Sequence, residues 1–142
     1  MPFVADTNIL VYRHDPRDAD KQERARALLR EGLERDEVRL PHQVILEFVA
    51  ATTRPTGPGA PPLLSPDEAR REAEDLISQF HVLYPDEALV RLALRGWATY
   101  GMSWFDAHLW AFAEHYGVQT IYSEDFQHRR RYGTVMVIDP FR

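Results

Sequence analysis

Four acidic side chains stand in apolar or strand-end contexts where acids are uncommon. They are Asp6, Glu47, Asp106 and Asp125. Ionised carboxylates 4 Å apart would repel one another by roughly 4 kcal/mol for each pair at an effective dielectric constant near 20. If the fold brings these acids together, either some are protonated or a cation lies between them. The chain has no cysteine, and oxygen ligands favour Mg²⁺ or Mn²⁺. The four acids therefore predict a metal pocket.

The three aspartates each have an ordinary structural explanation when they are taken singly. Asp6 follows an apolar run and could cap a helix that starts near Asn8. Asp106 lies three residues after Ser103, where a capping box places an acid. Asp125 follows an apolar segment, and an acid in such a turn often forms local hydrogen bonds.

Glu47 is harder to explain structurally, because it interrupts the apolar segment VILEFVAA. On a helix it shares a stripe with Val44 and Ala51. An ionised carboxylate on a buried face is costly unless it is paired or binds a metal. A salt bridge to Arg54 or an interaction with His42 is the structural alternative.

The elements that must position these acids are predicted from periodicity and capping residues. Strands are expected at Phe3–Ala5, Val38–Leu40, Phe80–Tyr84, Val118–Tyr122 and Thr134–Ile138. Helices are expected at Asp18–Arg35, 41–54, 66–79, 85–99 and Trp104–Tyr116. The second helix should be buried almost all round, and the Gly- and Pro-rich segment Thr56–Leu64 is expected to be a loop.

Alternation of strands and helices predicts an α/β fold with a central, mostly parallel sheet of four to five strands. If the first strand is central, its carboxyl end, that of the fourth strand and the first turns of the following helices share one edge. Asp6, Asp106 and Asp125 fall at that edge by topology, and Glu47 can reach it from the second helix.

Composition bounds the class of protein. The 142 residues, with 44% apolar content, suit a single domain spanning 1–142. The absence of cysteine fits the reducing cytoplasm, and no apolar run is long enough for a membrane span or a secretory signal. A net charge of -5 is unfavourable for nucleic-acid binding, but acids that hold a divalent cation present a positive ion to the substrate. Sixteen of the seventeen basic residues are arginine, since Lys21 is the only lysine.

Five segments together carry a family resemblance. They are FVADTNILVY, HQVILEFV, SWFDAHLWAFA, IYSEDFQH and VMVIDPF. In order and spacing they resemble the PIN-domain family, most closely the VapC-type ribonuclease toxins of toxin-antitoxin pairs. Two departures are Leu46, where many relatives carry Asn, and a longer loop at Thr56–Leu64.

The resemblance implies a three-layer α/β/α sandwich and an Mg²⁺-dependent endoribonuclease, with Mn²⁺ as a substitute. Cleavage would leave a 5′-phosphate and a 3′-hydroxyl. The acidic set would be catalytic, with Asp6 and Asp106 touching the metal. Thr7, Asn8 and Ser123 would orient carboxylates or bound water. The implied partners are an RNA substrate and a small antitoxin that lays a helix into an apolar groove; the many aromatic residues also suggest a homodimer patch.

Three further expectations stay open at the level of sequence. Arg129, Arg130 and Arg131 are candidates for phosphate contact, with a solvated charge run as the alternative. His108 and His115 are expected to be ordinary helix residues. A PIN-fold protein that mainly binds or regulates, with weak or no nuclease activity, is the alternative function; a haloacid-dehalogenase-type phosphatase is disfavoured because Asn8 stands where that chemistry needs a second aspartate.

Overall fold

Strands and helices alternate along most of the chain in the computed structural model, which describes residues 1–142. The strands are β1 (Phe3–Ala5), β2 (Val38–Pro41), β3 (His81–Leu83), β4 (Thr120–Tyr122), β5 (Arg131–Tyr132) and β6 (Val135–Ile138). The helices are α1 (Thr7–Tyr12), α2 (Ala19–Glu34), α3 (His42–Thr53), α4 (Pro66–Gln79), α5 (Glu87–Tyr100) and α6 (Trp104–His115). None of the helices combines the length and the apolar character that crossing a bilayer requires.

The six strands form one sheet in the order β3-β2-β1-β4-β6-β5. All neighbouring pairs are parallel except β5 with β6. The chain moves outward from β1 to β3 and then crosses to β4 on the other side of β1. Because such crossovers are right-handed, the helices before β3 cover one face and α5 and α6 cover the other. The predicted α/β/α architecture with a central first strand is confirmed.

Helix boundaries follow the capping residues that the sequence displays. Ser65 and Glu68 form a reciprocal capping box at the start of α4. Asp86 caps α5 by accepting a hydrogen bond from the Leu89 N–H at 2.8 Å. Gly101 ends α5 at φ 67°, in the left-handed region that glycine adopts without steric cost. These local signals explain why most predicted boundaries lie within two residues of the observed ones.

Two expectations about the fold need correction. The sheet has six strands, because Arg131–Tyr132 pairs antiparallel with β6 through a turn at Gly133; a two-residue strand is too short to show periodicity. Helix α3 is also not buried all round, since the Leu46 side chain is 59% exposed. The apolar surface that Leu46 leaves open lies beside the predicted site.

Candidate active site

The topology of the sheet creates a crevice between β1 and β4. Strand order reverses there, and open α/β folds bind ligands beyond the carboxyl ends of the strands at such a point. Asp6 directly follows β1, and Ser123 directly follows β4. The backbone N–H of Asp6 donates to the Tyr122 carbonyl at 3.0 Å, which holds the two strand ends together.

Asp6 is both a helix cap and a buried acid. Its Oδ1 accepts a hydrogen bond from the Thr7 backbone N–H at 2.7 Å, as expected of the residue that caps α1. Its Oδ2 accepts a 2.6 Å hydrogen bond from the Ser123 hydroxyl. Burial, with further contributions from the charges of Asp125 and Asp106, raises the pKa of Asp6 to about 7, although these two hydrogen bonds oppose the change. Capping alone does not require this degree of burial.

Asn8 and Ser123 connect Asp6 to Asp125. The Ser123 hydroxyl oxygen accepts from the Asp125 backbone N–H at 3.0 Å. The Asn8 side-chain amide donates to the Asp125 carboxylate at 3.1 Å and makes a longer contact of 3.5 Å with the Ser123 oxygen. The polar residues expected to orient the acids therefore contact two of those acids, directly or through one another.

Asp106 approaches the same region from the other helical layer. Ser103 caps α6 by accepting from the Asp106 backbone N–H at 3.1 Å, but the capping box is not reciprocal. Partial burial and the charge of Asp125 raise the pKa of Asp106, against the effect of the Ser103 hydrogen bond. The charge of Asp125 contributes to the raised pKa of both Asp6 and Asp106, which indicates that Asp106 lies toward the same edge of the sheet.

Glu47 reaches the same crevice from α3. It lines an open cavity of about 430 Å³ between α1 and α3, and Asp125, Asn8 and Thr7 line that cavity with it. One carboxylate oxygen of Glu47 is buried without a hydrogen-bond partner. Neither Arg54 nor His42 forms an ion pair with it, so the structural alternative for Glu47 is not realised.

The oxygen atoms in this cavity are of the type that binds a hard divalent cation, although they do not surround a single point. Buried oxygens without partners occur on Thr7, Asn8 and Glu47, all in the same cavity. No group of three or more histidine or acidic side chains is arranged to hold one ion. Mg²⁺ is typically held by one or two carboxylates together with water and substrate phosphate. The four acids thus match an open site better than the closed cluster suggested by their number.

The predicted arginines and histidines lie outside this cavity. Arg129 to Arg131 do not line it; Arg130 stacks on the Tyr132 ring at 4.8 Å, and Arg131 contacts the Thr134 carbonyl at 3.4 Å. His115 lies 3.3 Å from an Asp86 carboxylate oxygen. His108 packs its ring against Trp104, so both histidines have structural contacts as expected.

Two other arginines, Arg17 and Arg54, line the cavity instead. Arg54 stands seven residues after Glu47, so helical spacing on α3 was a signal that could have identified it. Arg17 is held by Asp15, which is buried with 4% exposure. That pair lies in the turn between α1 and α2, where no periodic pattern marks it.

A network of contacts around Lys21 holds the loop that carries Asp125. The amine of Lys21, the only lysine, lies 2.8 Å from the Glu124 carboxylate and 3.2 Å from the Tyr12 hydroxyl. The Tyr12 hydroxyl also donates to Glu124. These contacts tie α1 and α2 to the residue immediately before Asp125, so the sole lysine has a structural role next to the acids.

Comparison with known proteins agrees with this architecture. The PIN domain family model matches residues 3–133, so the chain belongs to the PIN domain family. No curated protein matches it significantly in sequence.

Solved structures with the same fold have low sequence identity to this chain. VapC20 of Mycobacterium tuberculosis, a toxin that cleaves the sarcin-ricin loop, is 19% identical, with 87% of this chain and 89% of VapC20 covered and a TM-score of 0.67. DNA-bound VapBC from Salmonella typhimurium is 14% identical, with coverage of 99% and 98% and a TM-score of 0.71. FitAcB from Neisseria gonorrhoeae is 20% identical, with 98% of both chains covered and a TM-score of 0.64.

The raised pKa of Asp6 predicts that Asp6→Asn stabilises the metal-free protein. The folded pKa of about 7 exceeds the ordinary value of 3.8, so the free energy of unfolding of the native chain should fall as the pH rises between these values. Asparagine removes that dependence. We expect a gain of roughly 2 kcal/mol at pH 8, less than the full effect because the asparagine NH2 group that replaces Oδ2 cannot accept the Ser123 hydrogen bond, and no gain near pH 4. Urea unfolding in EDTA measures both.

Asp15→Asn is the matched control, since the exposed fraction of Asp15 is close to that of Asp6 but Asp15 is paired with Arg17. Its hydrogen bonds to Arg17 lower the pKa of Asp15, so its stabilising effect is present above the ordinary pKa and is lost as the pH falls. Asp15→Asn should therefore destabilise the protein at pH 8, by about 2 kcal/mol. Equal effects of the two substitutions at pH 8 would contradict the distinction between the two aspartates.

Proposed function

We propose that this chain is a divalent-metal-dependent endoribonuclease, acting in the cytoplasm as the toxin of a toxin-antitoxin pair. One observation carries the proposal: in a PIN domain, the charge of Asp125 affects both Asp6 and Asp106, and the Glu47 carboxylate, which has no ion-pair partner, lines the cavity beside Asp125. The likeness to VapC20, a sarcin-ricin loop cleaving toxin, supports RNA as the substrate class.

The proposed chemistry assigns a role to each polar group. Asp6 and Asp106 would hold Mg²⁺ or Mn²⁺, with Glu47 and Asp125 beside them. A bound divalent ion supplies positive charge that lowers the pKa of water and offsets charge developing on a phosphate. Ser123 fixes Asp6, and Asn8 fixes Asp125, through the hydrogen bonds described above. The Asp6 carboxyl must lose its proton when the ion binds, because only the ionised form is a ligand.

The alternative is a PIN-fold protein that binds without cleaving. Such a protein would have the same fold as the proposed nuclease but would not need its metal chemistry. Neighbouring structures of VapBC and FitAB contain DNA, which is consistent with a DNA-bound regulatory complex. We favour the nuclease, because a purely binding role gives no reason to keep Asp6 buried beside two other acids.

Removal of the metal or of a metal ligand should abolish cleavage of RNA. We expect wild-type protein with Mg²⁺ to cut single-stranded RNA. EDTA, Asp6→Asn or Asp106→Asn should reduce the rate by more than about 100-fold, because losing the ion or a direct ligand should cost more than the roughly 10- to 100-fold typical of outer-shell partners. Glu87→Gln, an exposed acid on α5, is the control and should leave the rate unchanged. Undiminished cleavage in EDTA would refute the metal mechanism.

Metal binding should also be visible without turnover. At pH 8, Mg²⁺ at 100 times its dissociation constant should stabilise the wild-type protein by about 2.7 kcal/mol. Asp106→Asn should lose most of this stabilisation, and Glu87→Gln should retain it. If the protein cleaves RNA but Mg²⁺ does not change its thermal unfolding, the proposed residues are not the metal ligands used in catalysis.

An apolar face next to the site supports a homodimer as part of the proposal. Val90, Leu94 and Trp97 follow one another along one stripe of α5 and are 37%, 47% and 49% exposed. Leu46 and Phe105 extend this face at 59% and 63% exposure. Such a contiguous apolar surface is typical of an interaction site, and a symmetric dimer is the commonest form of soluble oligomer. The antitoxin would be a separate partner, as in the VapBC and FitAB assemblies.

The substitution Leu94→Glu tests the dimer. Wild-type protein should sediment as a dimer in analytical ultracentrifugation, and Leu94→Glu should be monomeric, because it puts a charge in the centre of the apolar face. Arg91→Glu, one turn away on the polar side, is the control and should remain dimeric. A monomeric wild-type protein at micromolar concentration would contradict the proposed dimer.

A further inference from the structure

The cavity between α1 and α3 changes chemical character along its length. Its first end is formed by the acidic group around Glu47 and Asp125, and its other end by Arg17 and Arg54. The cavity-lining residues at positions 47, 50 and 51 of α3 fall on one helical stripe, and the C-cap residue Arg54 follows them. At 1.5 Å per residue, Glu47 and Arg54 stand roughly 10 Å apart along the helix axis. Glu47 and Arg54 therefore lie about two helical turns apart along this stripe.

The surface between the two ends is open. Ala50 and Ala51 are the only α3 residues that line the cavity between Glu47 and Arg54, and their side chains are single methyl groups. Val11 and Tyr12 form the opposite wall on α1. A chain of nucleotides could thus lie along the cavity without displacing a large side chain.

Arg17 is fixed in orientation. Its Nε and Nη2 donate to the two oxygens of the buried Asp15 carboxylate, at 2.9 Å and 2.8 Å. Its Nη1 makes a long contact of 3.5 Å with the Thr56 carbonyl at the start of the Gly- and Pro-rich loop. A guanidinium has five N–H donors, so two remain for a ligand. The side chain is 58% exposed, which leaves those donors accessible.

Arg54 differs from Arg17 in having no acidic partner. No ion pair involves it, and it is exposed at the end of α3. The chain as a whole carries a net charge of -5, which repels a polyanion. Net attraction for a phosphate must therefore come from a cation without an acidic partner, and Arg54 meets that condition inside the cavity. Arg17, whose charge is offset by Asp15, contributes oriented N–H donors instead.

We propose that Arg17 and Arg54 form a phosphate-binding subsite that holds the backbone of single-stranded RNA at a nucleotide flanking the one at the acids. Asp15 is a positioning residue that acts through Arg17. This inference rests on the proposed function, since it assigns the RNA strand a path away from the acidic end. It also gives the Thr56–Leu64 loop a role, because the loop contacts Arg17 through the Thr56 carbonyl.

The experiment measures binding without cleavage. A fluorescein-labelled oligoribonucleotide of about 10 nucleotides, within the range that single-strand sites occupy, is titrated by anisotropy against the Asp106→Asn protein at several salt concentrations. Adding Arg17→Ala or Arg54→Ala should weaken binding several-fold and reduce the slope of log affinity against log salt by about 0.7, the value for one lost phosphate contact with a single strand. Arg70→Ala is the control; its side chain is 60% exposed, close to that of Arg17, and lies on α4.

Asp15→Asn separates positioning from simple charge. Removing a negative charge near the subsite should strengthen binding if only net charge matters. If Asp15 orients the guanidinium, Asp15→Asn should weaken binding instead. Arg17→Lys keeps the charge but not the planar pair of hydrogen bonds, so it should also bind RNA more weakly than the parent protein. It provides an independent test if Asp15→Asn does not fold.

The possible results distinguish this inference from the proposed function. Unchanged affinity and salt slope in Arg17→Ala and Arg54→Ala, with wild-type protein that cleaves RNA, would overturn the subsite alone. Arginine-dependent binding by a wild-type protein that cleaves no RNA would refute the nuclease and support the subsite.

Discussion

The fold both buries the Asp6 carboxyl group and places other negative charges near it. Strand β1 lies in the middle of the sheet and ends at the switch point, so the first residue after the strand has little exposure to solvent. Asp6 is only 6% exposed there, and Asp106 and Asp125 add negative charge nearby. Hydrogen bonds from Ser123 and the Thr7 backbone offset part of this cost. The remaining cost is what a bound cation would relieve, so under the proposed function the stability cost of these acids and the affinity for metal would have the same physical origin.

The surrounding structure can be understood as support for this one carboxylate. Ser123 and Asn8 link it to Asp125, and the Lys21–Glu124 pair holds the loop before Asp125. The contrast with Asp15 shows what an ordinary buried aspartate looks like: it has a guanidinium beside it and a lowered pKa. Asp6 has no such partner within the protein. A protein that retains an unpaired buried acid beside other acids gives up stability at a site where chemistry can use it.

Sequence patterns predicted most of the fold because its signals are local. The capping box at Ser65 and the glycine at position 101 mark helix ends directly, whereas Arg131–Tyr132 became a strand only through pairing with β6. The acids were identifiable because each interrupts an apolar context, and topology explained why Asp6 and Asp125 meet. The Arg17–Asp15 pair could not be predicted in this way, since its role depends on which loop packs beside α3. Arg129 to Arg131 follow Asp125 closely in sequence, but they do not line the cavity.

The most direct test of this account is the pKa of the Asp6 carboxyl in metal-free protein. Carbon-13 NMR of side-chain carboxyl groups, with the Asp6 signal assigned by its loss in Asp6→Asn, follows the titration in EDTA. The account predicts a midpoint at about 7, and a marked decrease when Mg²⁺ is present, because the ion competes with the proton. A midpoint near the ordinary value of 3.8 in EDTA, or one that Mg²⁺ leaves unchanged, would contradict the central claim.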